Sequence, residues 1–276
     1  MRPDRCAVLS AMVAVAVTVV VGSCAPAAHQ RAAGAQTRPA TSAAAEPENQ
    51  VQADAVAVAV TPDPRVGALF LGGVGADSLH TCSAAVLDTP GGDLILTAAH
   101  CLADGVDTAF IPGFQEGADD VWQVGTVYLD SRWIAEQDPH ADFAIARVSR
   151  DGRGLVQSET GEGLSLGSAP AAGSAVSVTG YPMGVGGGAL GCRGVTGLSP
   201  EGFPSLQCAG LTDGFSGAPW VIGATVTGLV GGPDGGGCDD DVSYSPVFDD
   251  SVGRLLARAE AGGDGDAAPA AFATDC

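Results

Sequence analysis

Short apolar runs, broken at close intervals by Gly, Pro and Asp, recur through the C-terminal three quarters of this chain, and that rhythm limits the class of fold open to it. The runs span residues 65–71, 82–87, 94–98, 121–129, 143–148, 175–179, 220–222, 226–230 and 242–247. Segments this short suit strands, and many short strands separated by turn residues make an antiparallel sandwich or barrel. Helical spacing appears only near the end, where Val252, Leu255, Leu256 and Ala259 recur behind Asp250 or Ser251 as a cap. The expectation is an all-β protein with a short C-terminal helix, and 276 residues hold one large domain or two modest ones.

Charge excludes one large class of partner. The net charge is -20, and the basic residues are all Arg, as the composition of a GC-rich bacterial genome explains. Phosphate neutralisation needs clustered cations, so nucleic acid is not an expected ligand.

The N-terminus reads as an export signal over residues 1–23, with Arg2 and Arg5 ahead of an apolar run from Ala7 to Val21 that is too short to span a membrane stably. Two processing routes stay open. Val21-Gly22-Ser23-Cys24 has the form of a lipobox, in which Cys24 is lipidated and anchors the protein to the outer face of the membrane, whereas Ala25-Pro26-Ala27 suits ordinary cleavage and free secretion. Neither route leaves a transmembrane span. Residues 24–64, rich in Ala, Pro, Gln and Thr, lack the large apolar residues a core requires and read as a flexible stalk; only the alternating run from Ala55 to Val60 suggests a strand. The expected folded domain covers residues 65–260, followed by a tail over 261–276. Cys6 leaves with the signal and Cys24 is lipidated or removed. Cys82, Cys101, Cys192, Cys208, Cys238 and Cys276 remain, an even set that reads as three disulfides with fifteen formal pairings. No C-x-x-C or H-x-x-x-H spacing suggests a metal site.

Three motifs carry chemistry. Thr97-Ala98-Ala99-His100-Cys101 ends an apolar run with a histidine and a half-cystine; Asp142 opens the run Phe143-Ala144-Ile145-Ala146-Arg147-Val148; and Gly214-Phe215-Ser216-Gly217-Ala218-Pro219 sets a serine among glycines. Each alone is weak. A histidine is often a satisfied core residue, an aspartate opening a strand is usually a turn residue, and G-x-S-G arises easily among 41 glycines. Together they supply a base, its orienting carboxylate and a nucleophile. On these motifs, from about Arg65 to about Glu260, the chain resembles the chymotrypsin-fold (trypsin-like) serine peptidases, particularly the compact bacterial branch. The order His, Asp, Ser is that family's, and differs from the orders of the subtilisin and α/β-hydrolase folds.

The resemblance implies two packed six-stranded antiparallel β-barrels, over about 65–155 and 156–250, with the site in the cleft between them. It implies His100 as general base, oriented by Asp142, for attack by Ser216, and the backbone N–H groups of Gly214 and Ser216 as the oxyanion hole. Asp138, near His140, is the alternative acid; His80 is expected to belong to a strand or its turn. Cys82 pairs with Cys101 in the family pattern; nearest-neighbour pairing then joins Cys192 to Cys208 and leaves Cys238 for Cys276. Peptide or protein substrates, no metal or organic cofactor, and a monomer are expected. The competing class is a peptidase-fold binding module at the cell surface that has lost turnover.

Two departures qualify the likeness. Many animal members carry an aspartate before the nucleophile that pairs with a new N-terminus after zymogen cleavage; Phe215 stands there, so activity is expected without a liberated N-terminus. Ala218 replaces a common glycine. Gly210 occupies the place of the aspartate that binds Arg or Lys side chains in trypsin-like members, and Val230 the place of a histidine in glutamate-specific bacterial ones. With Gly231, Gly232 and Pro233 along the pocket wall, an uncharged pocket for apolar or small side chains is expected, while Asp213 at the rim points instead to a basic one.

Overall fold

The computed structural model describes residues 55–75, 78–152 and 154–269. The export signal, Cys24, most of the stalk and Cys276 lie outside the described residues. The described residues form strands β1 (Val58–Ala59), β2 (Val66–Leu71), β3 (His80–Val86), β4 (Leu94–Thr97), β5 (Thr108–Pro112), β6 (Trp122–Leu129), β7 (Ala144–Ser149), β8 (Ser165–Leu166), β9 (Ala175–Gly180), β10 (Leu190–Leu198), β11 (Pro204–Gln207), β12 (Pro219–Ile222), β13 (Thr225–Leu229) and β14 (Val242–Tyr244). With them are the α-helices α1 (Ser131–Glu136), α2 (Val156–Glu159) and α3 (Asp250–Ala261) and three single 3-10 turns, Ala99–Cys101, Pro139–Ala141 and Pro233–Gly235.

Strands β2, β3, β4, β7, β6 and β5 close into a barrel in that order. Its interior is filled by Leu69, Phe110, Ile145 and their neighbours, all buried. The second half differs from the expected closed barrel. Its strands form one open sheet in the order β14-β11-β10-β9-β12-β13-β8, with β1 pairing β10. Where β13 and β14 would have to ladder together, the link is made by the Leu229 N–H donating to Ser245 Oγ at 3.0 Å and the Gly231 N–H donating to the Tyr244 carbonyl at 3.1 Å. A serine hydroxyl thus occupies part of the seam that strand pairing would otherwise fill.

The alternating run at the end of the stalk packs on this sheet: the Ala57 N–H donates to the Ala209 carbonyl, and the Ala209 N–H to the Ala55 carbonyl, both at 2.8 Å. Three further differences from expectation are local. The cap of α3 is Asp249, whose carboxylate accepts the Ser251 N–H at 2.7 Å, so Asp250 and Ser251 lie inside the first turn. Two short helices precede it: α1 is capped by Asp130 and buries Trp133, and α2 buries Val156. Finally, part of the tail is fixed to the barrel, because Asp266 accepts the Leu129 N–H at 2.8 Å and pairs with Arg258.

Among the described residues, Cys82 is bonded to Cys101 and Cys192 to Cys208. The first ties β3 to the turn carrying His100. The expected partner of Cys238 lies outside the described residues.

Candidate active site

Strand register brings the first two motif residues together. In the antiparallel β4 and β7 pair, Thr97 at the end of β4 faces Ala144 at the start of β7. His100 lies three residues beyond the one and Asp142 two before the other, so both leave the barrel at the same end. There His100 Nδ1 and Asp142 Oδ2 are 2.8 Å apart, and the His100 N–H donates to Asp142 Oδ1 at 3.0 Å. The carboxylate is completely buried, and the Gly232 N–H donates a third bond to Oδ2 at 2.7 Å. A carboxylate accepting from Nδ1 requires the proton there, so that in a neutral ring Nε2 carries the lone pair.

Ser216 reaches the same place from the other half of the molecule. It lies in the turn before β12, and its carbonyl accepts the Ser83 N–H from β3 at 2.8 Å, bridging the barrel and the sheet. The turn cannot form with larger residues at two positions. Gly214 has φ +94°, and a Cβ there would stand 2.1 Å from the Met183 nitrogen; Gly217 has φ +81°, and a Cβ would meet the Ser83 carbonyl oxygen at 2.2 Å. Phe215 is buried between them. Within this turn the Phe215, Gly217 and Ala218 N–H groups donate to the Thr212, Val230 and Phe215 carbonyls. Among the described residues, those of Gly214 and Ser216 have no protein acceptor, which leaves two donors for a ligand. Ser216 Oγ is 3.4 Å from the Gly235 carbonyl, a long contact that is readily exchanged. His100, Gly214 and Ser216 all line one cavity of about 460 Å³.

A family model for the trypsin-like peptidase domain matches residues 82–229, more than half of the chain. The chain belongs to the trypsin-like peptidases. Solved proteases share the fold: the protease Anisep from Arthrobacter nicotinovorans has 20% identity and a TM-score of 0.65 over 75% of this chain and 100% of that one. A thermostable serine protease, AL20, from an extremophilic microorganism has 22% identity and a TM-score of 0.61 over 73% and 99%. A Glu endopeptidase follows at 15% and 0.57 over 76% and 97%. No curated protein sequence matches the chain significantly.

Other residues of this trypsin-like peptidase have been put to different uses than their sequence positions suggest. Asp138 is 3.0 Å from the His140 ring and accepts the His140 N–H at 2.9 Å, capping a turn. Burial alone would raise the Asp138 carboxyl, but those His140 hydrogen bonds hold it below its ordinary value. Gly210 does not line the cavity; its N–H donates to the Asp240 carbonyl at 2.9 Å. Gly231, Gly232 and Pro233 also stand behind the cavity wall rather than on it. Gly231 is there for clearance, because a Cβ would come within 2.9 Å of Asp142 Oδ2. Four carboxylates line the cavity instead, Asp213, Asp234, Asp239 and Asp240, and no arginine does. The acidic lining was hidden in a Gly- and Asp-rich stretch that reads as ordinary turn, and only Asp213 had signalled it.

The one close grouping of possible metal ligands among the described residues is Cys82, His100 and Cys101. Both sulfurs belong to a disulfide and offer no thiolate. No helix among the described residues is long and apolar enough to cross a membrane.

Proposed function

We propose that this trypsin-like peptidase is an exported serine endopeptidase that cleaves peptide bonds through an acyl-enzyme on Ser216. The observation that carries the reading is the convergence of an Asp142-oriented imidazole, a serine and two unpaired backbone donors on one cavity. In the forward step His100 Nε2 takes the Ser216 hydroxyl proton as Oγ attacks the scissile carbonyl. The resulting oxyanion is met by the Gly214 and Ser216 N–H groups, an arrangement in which one donor is typically worth about 10² to 10³ in rate. Collapse expels the amine, which takes the proton from His100, and water repeats the sequence on the ester to release the acid.

Export, by lipid anchoring at Cys24 or by free secretion, accords with the N-terminal signal and with the Cys82–Cys101 and Cys192–Cys208 disulfides. For specificity, the four cavity carboxylates favour a basic side chain over the apolar or small one. Asp240 adjoins Gly210, so a carboxylate absent from one chain position is supplied by the neighbouring segment.

A peptide-library profile tests both parts. The wild type is expected to cut beside Arg or Lys, less so at high salt, and Ser216→Ala to cut nothing. A profile favouring Ala or Leu would refute the basic preference. Undiminished cleavage by Ser216→Ala would refute the mechanism, and binding without cleavage by the wild type would restore the inactive-module reading.

A further inference from the structure

Without an aspartate before Ser216, something else must hold the oxyanion hole. Peptide planarity identifies it. The Gly214 N–H shares a peptide plane with the Asp213 carbonyl and points away from it, so whatever fixes that carbonyl aims the donor. The Asp213 carbonyl accepts the Met183 N–H at 2.7 Å. Met183 lies in the loop from Tyr181 to Gly186, and that loop is fastened at both ends by β3. At its start, the fully buried Ser83 hydroxyl accepts the Tyr181 N–H and donates to the Gly214 carbonyl, both at 2.9 Å. At its end, His80 and Gly184 exchange backbone hydrogen bonds at 3.0 and 3.3 Å, and His80 Nε2 is 3.0 Å from the Gly186 carbonyl.

That carbonyl only accepts, so the ring proton of neutral His80 is on Nε2. His80 Nδ1 is buried with no partner among the described residues. The ring is caged edge-on by Phe70, Phe114 and Tyr181, with centroids 5.1 to 6.3 Å away. The neutral imidazole is thus a single donor aimed at the loop.

We propose that His80 and Ser83 are positioning residues that aim the Gly214 N–H through the Tyr181–Gly186 loop, in place of an ion pair to a new N-terminus. The proposal rests on the oxyanion-hole reading above.

The test compares full-length wild type, His80→Phe, His80→Gln and Ser83→Ala on a chromogenic peptide substrate, with a peptide aldehyde as inhibitor. Phe keeps the ring and loses the donor; Gln places an amide N–H near the Nε2 position. His80→Phe and Ser83→Ala should lower kcat about ten- to a hundredfold and weaken aldehyde inhibition in parallel. KM should stay within about twofold, and His80→Gln should return kcat to within about threefold of wild type. Thermal unfolding identifies folded variants, and Ser83→Ala carries the test if His80→Phe does not fold. Unchanged kcat in the folded variants, a change in KM alone, or His80→Gln no better than His80→Phe would overturn the proposal. An inactive wild type would instead overturn the peptidase reading, and this proposal with it.

Discussion

Replacing Gly231 by Ala adds one methyl group beside the most heavily bonded atom of the site. The new Cβ would stand 2.9 Å from Asp142 Oδ2 and 2.8 Å from Leu229 Cδ1. Leu229 can rotate away, but Oδ2 is fixed by the His100 ring at 2.8 Å and the Gly232 N–H at 2.7 Å, on a carboxylate with no exposed surface. Restoring an ordinary contact therefore moves the carboxylate or Gly232, and the nearer bond to break is the one from Gly232. Gly231 does not have a positive φ, so Ala suffers no backbone strain and the effect is steric. Loss of a hydrogen bond to a charged group costs about 1.5 to 3 kcal/mol. If it is felt in the transition state, where the proposed mechanism has Asp142 stabilise the imidazolium, kcat/KM falls about ten- to a hundredfold. Gly253→Ala is the control, since its Cβ meets open space in α3 and should leave kinetics unchanged. Steady-state kinetics on a peptide substrate, with thermal unfolding to show that both variants fold, is the assay. A folded Gly231→Ala variant with wild-type kcat/KM would refute the assignment of that backbone segment to Asp142.

Asp249→Ala should destabilise the fold by about 1 kcal/mol through loss of the α3 cap, measured as a shift of the urea midpoint at neutral pH. The Ser251 hydrogen bond holds the Asp249 carboxyl below its ordinary value, so its contribution is full above about pH 4 and vanishes as pH falls through the lower folded value; wild type and variant should then converge in acid. Full-length protein should turn over as fast as protein trimmed near Arg65, since Phe215 takes the place of the pairing aspartate and the segment before Arg65 is hydrogen-bonded into the sheet. Activity that appears only after trimming would contradict this.

The parts of the fold legible in the sequence are those where side chains alone make the pattern. The runs beginning near 65, 94, 121, 143 and 175 are strands β2, β4, β6, β7 and β9 with ends shifted by a residue or so. Strand β10 was illegible because Gly191, Gly194 and Gly197 read as turns, yet each is clearance: a Cβ would come within 2.9 Å of Val60, 2.7 Å of Leu206 and 2.7 Å of Ser205 respectively. Pairing partners decide such positions, and a single sequence does not display them. The same holds at the site. His100, Asp142 and Ser216 announce themselves through residue type and order. The Gly232 N–H on Asp142 and the Met183 N–H behind Gly214 are backbone groups without a residue signature, and the cavity carboxylates come from a stretch whose composition is that of a turn.

The reactivity of the Ser216 hydroxyl decides whether the three motif residues work together. Untreated full-length protein incubated with a fluorophosphonate probe, digested and analysed by mass spectrometry, should carry a single adduct on Ser216, and Ser216→Ala should carry none. His100→Ala should slow labelling by orders of magnitude. An unlabelled wild type, or an adduct on another serine, would contradict the claim that His100, Asp142 and Ser216 act together as a catalytic unit.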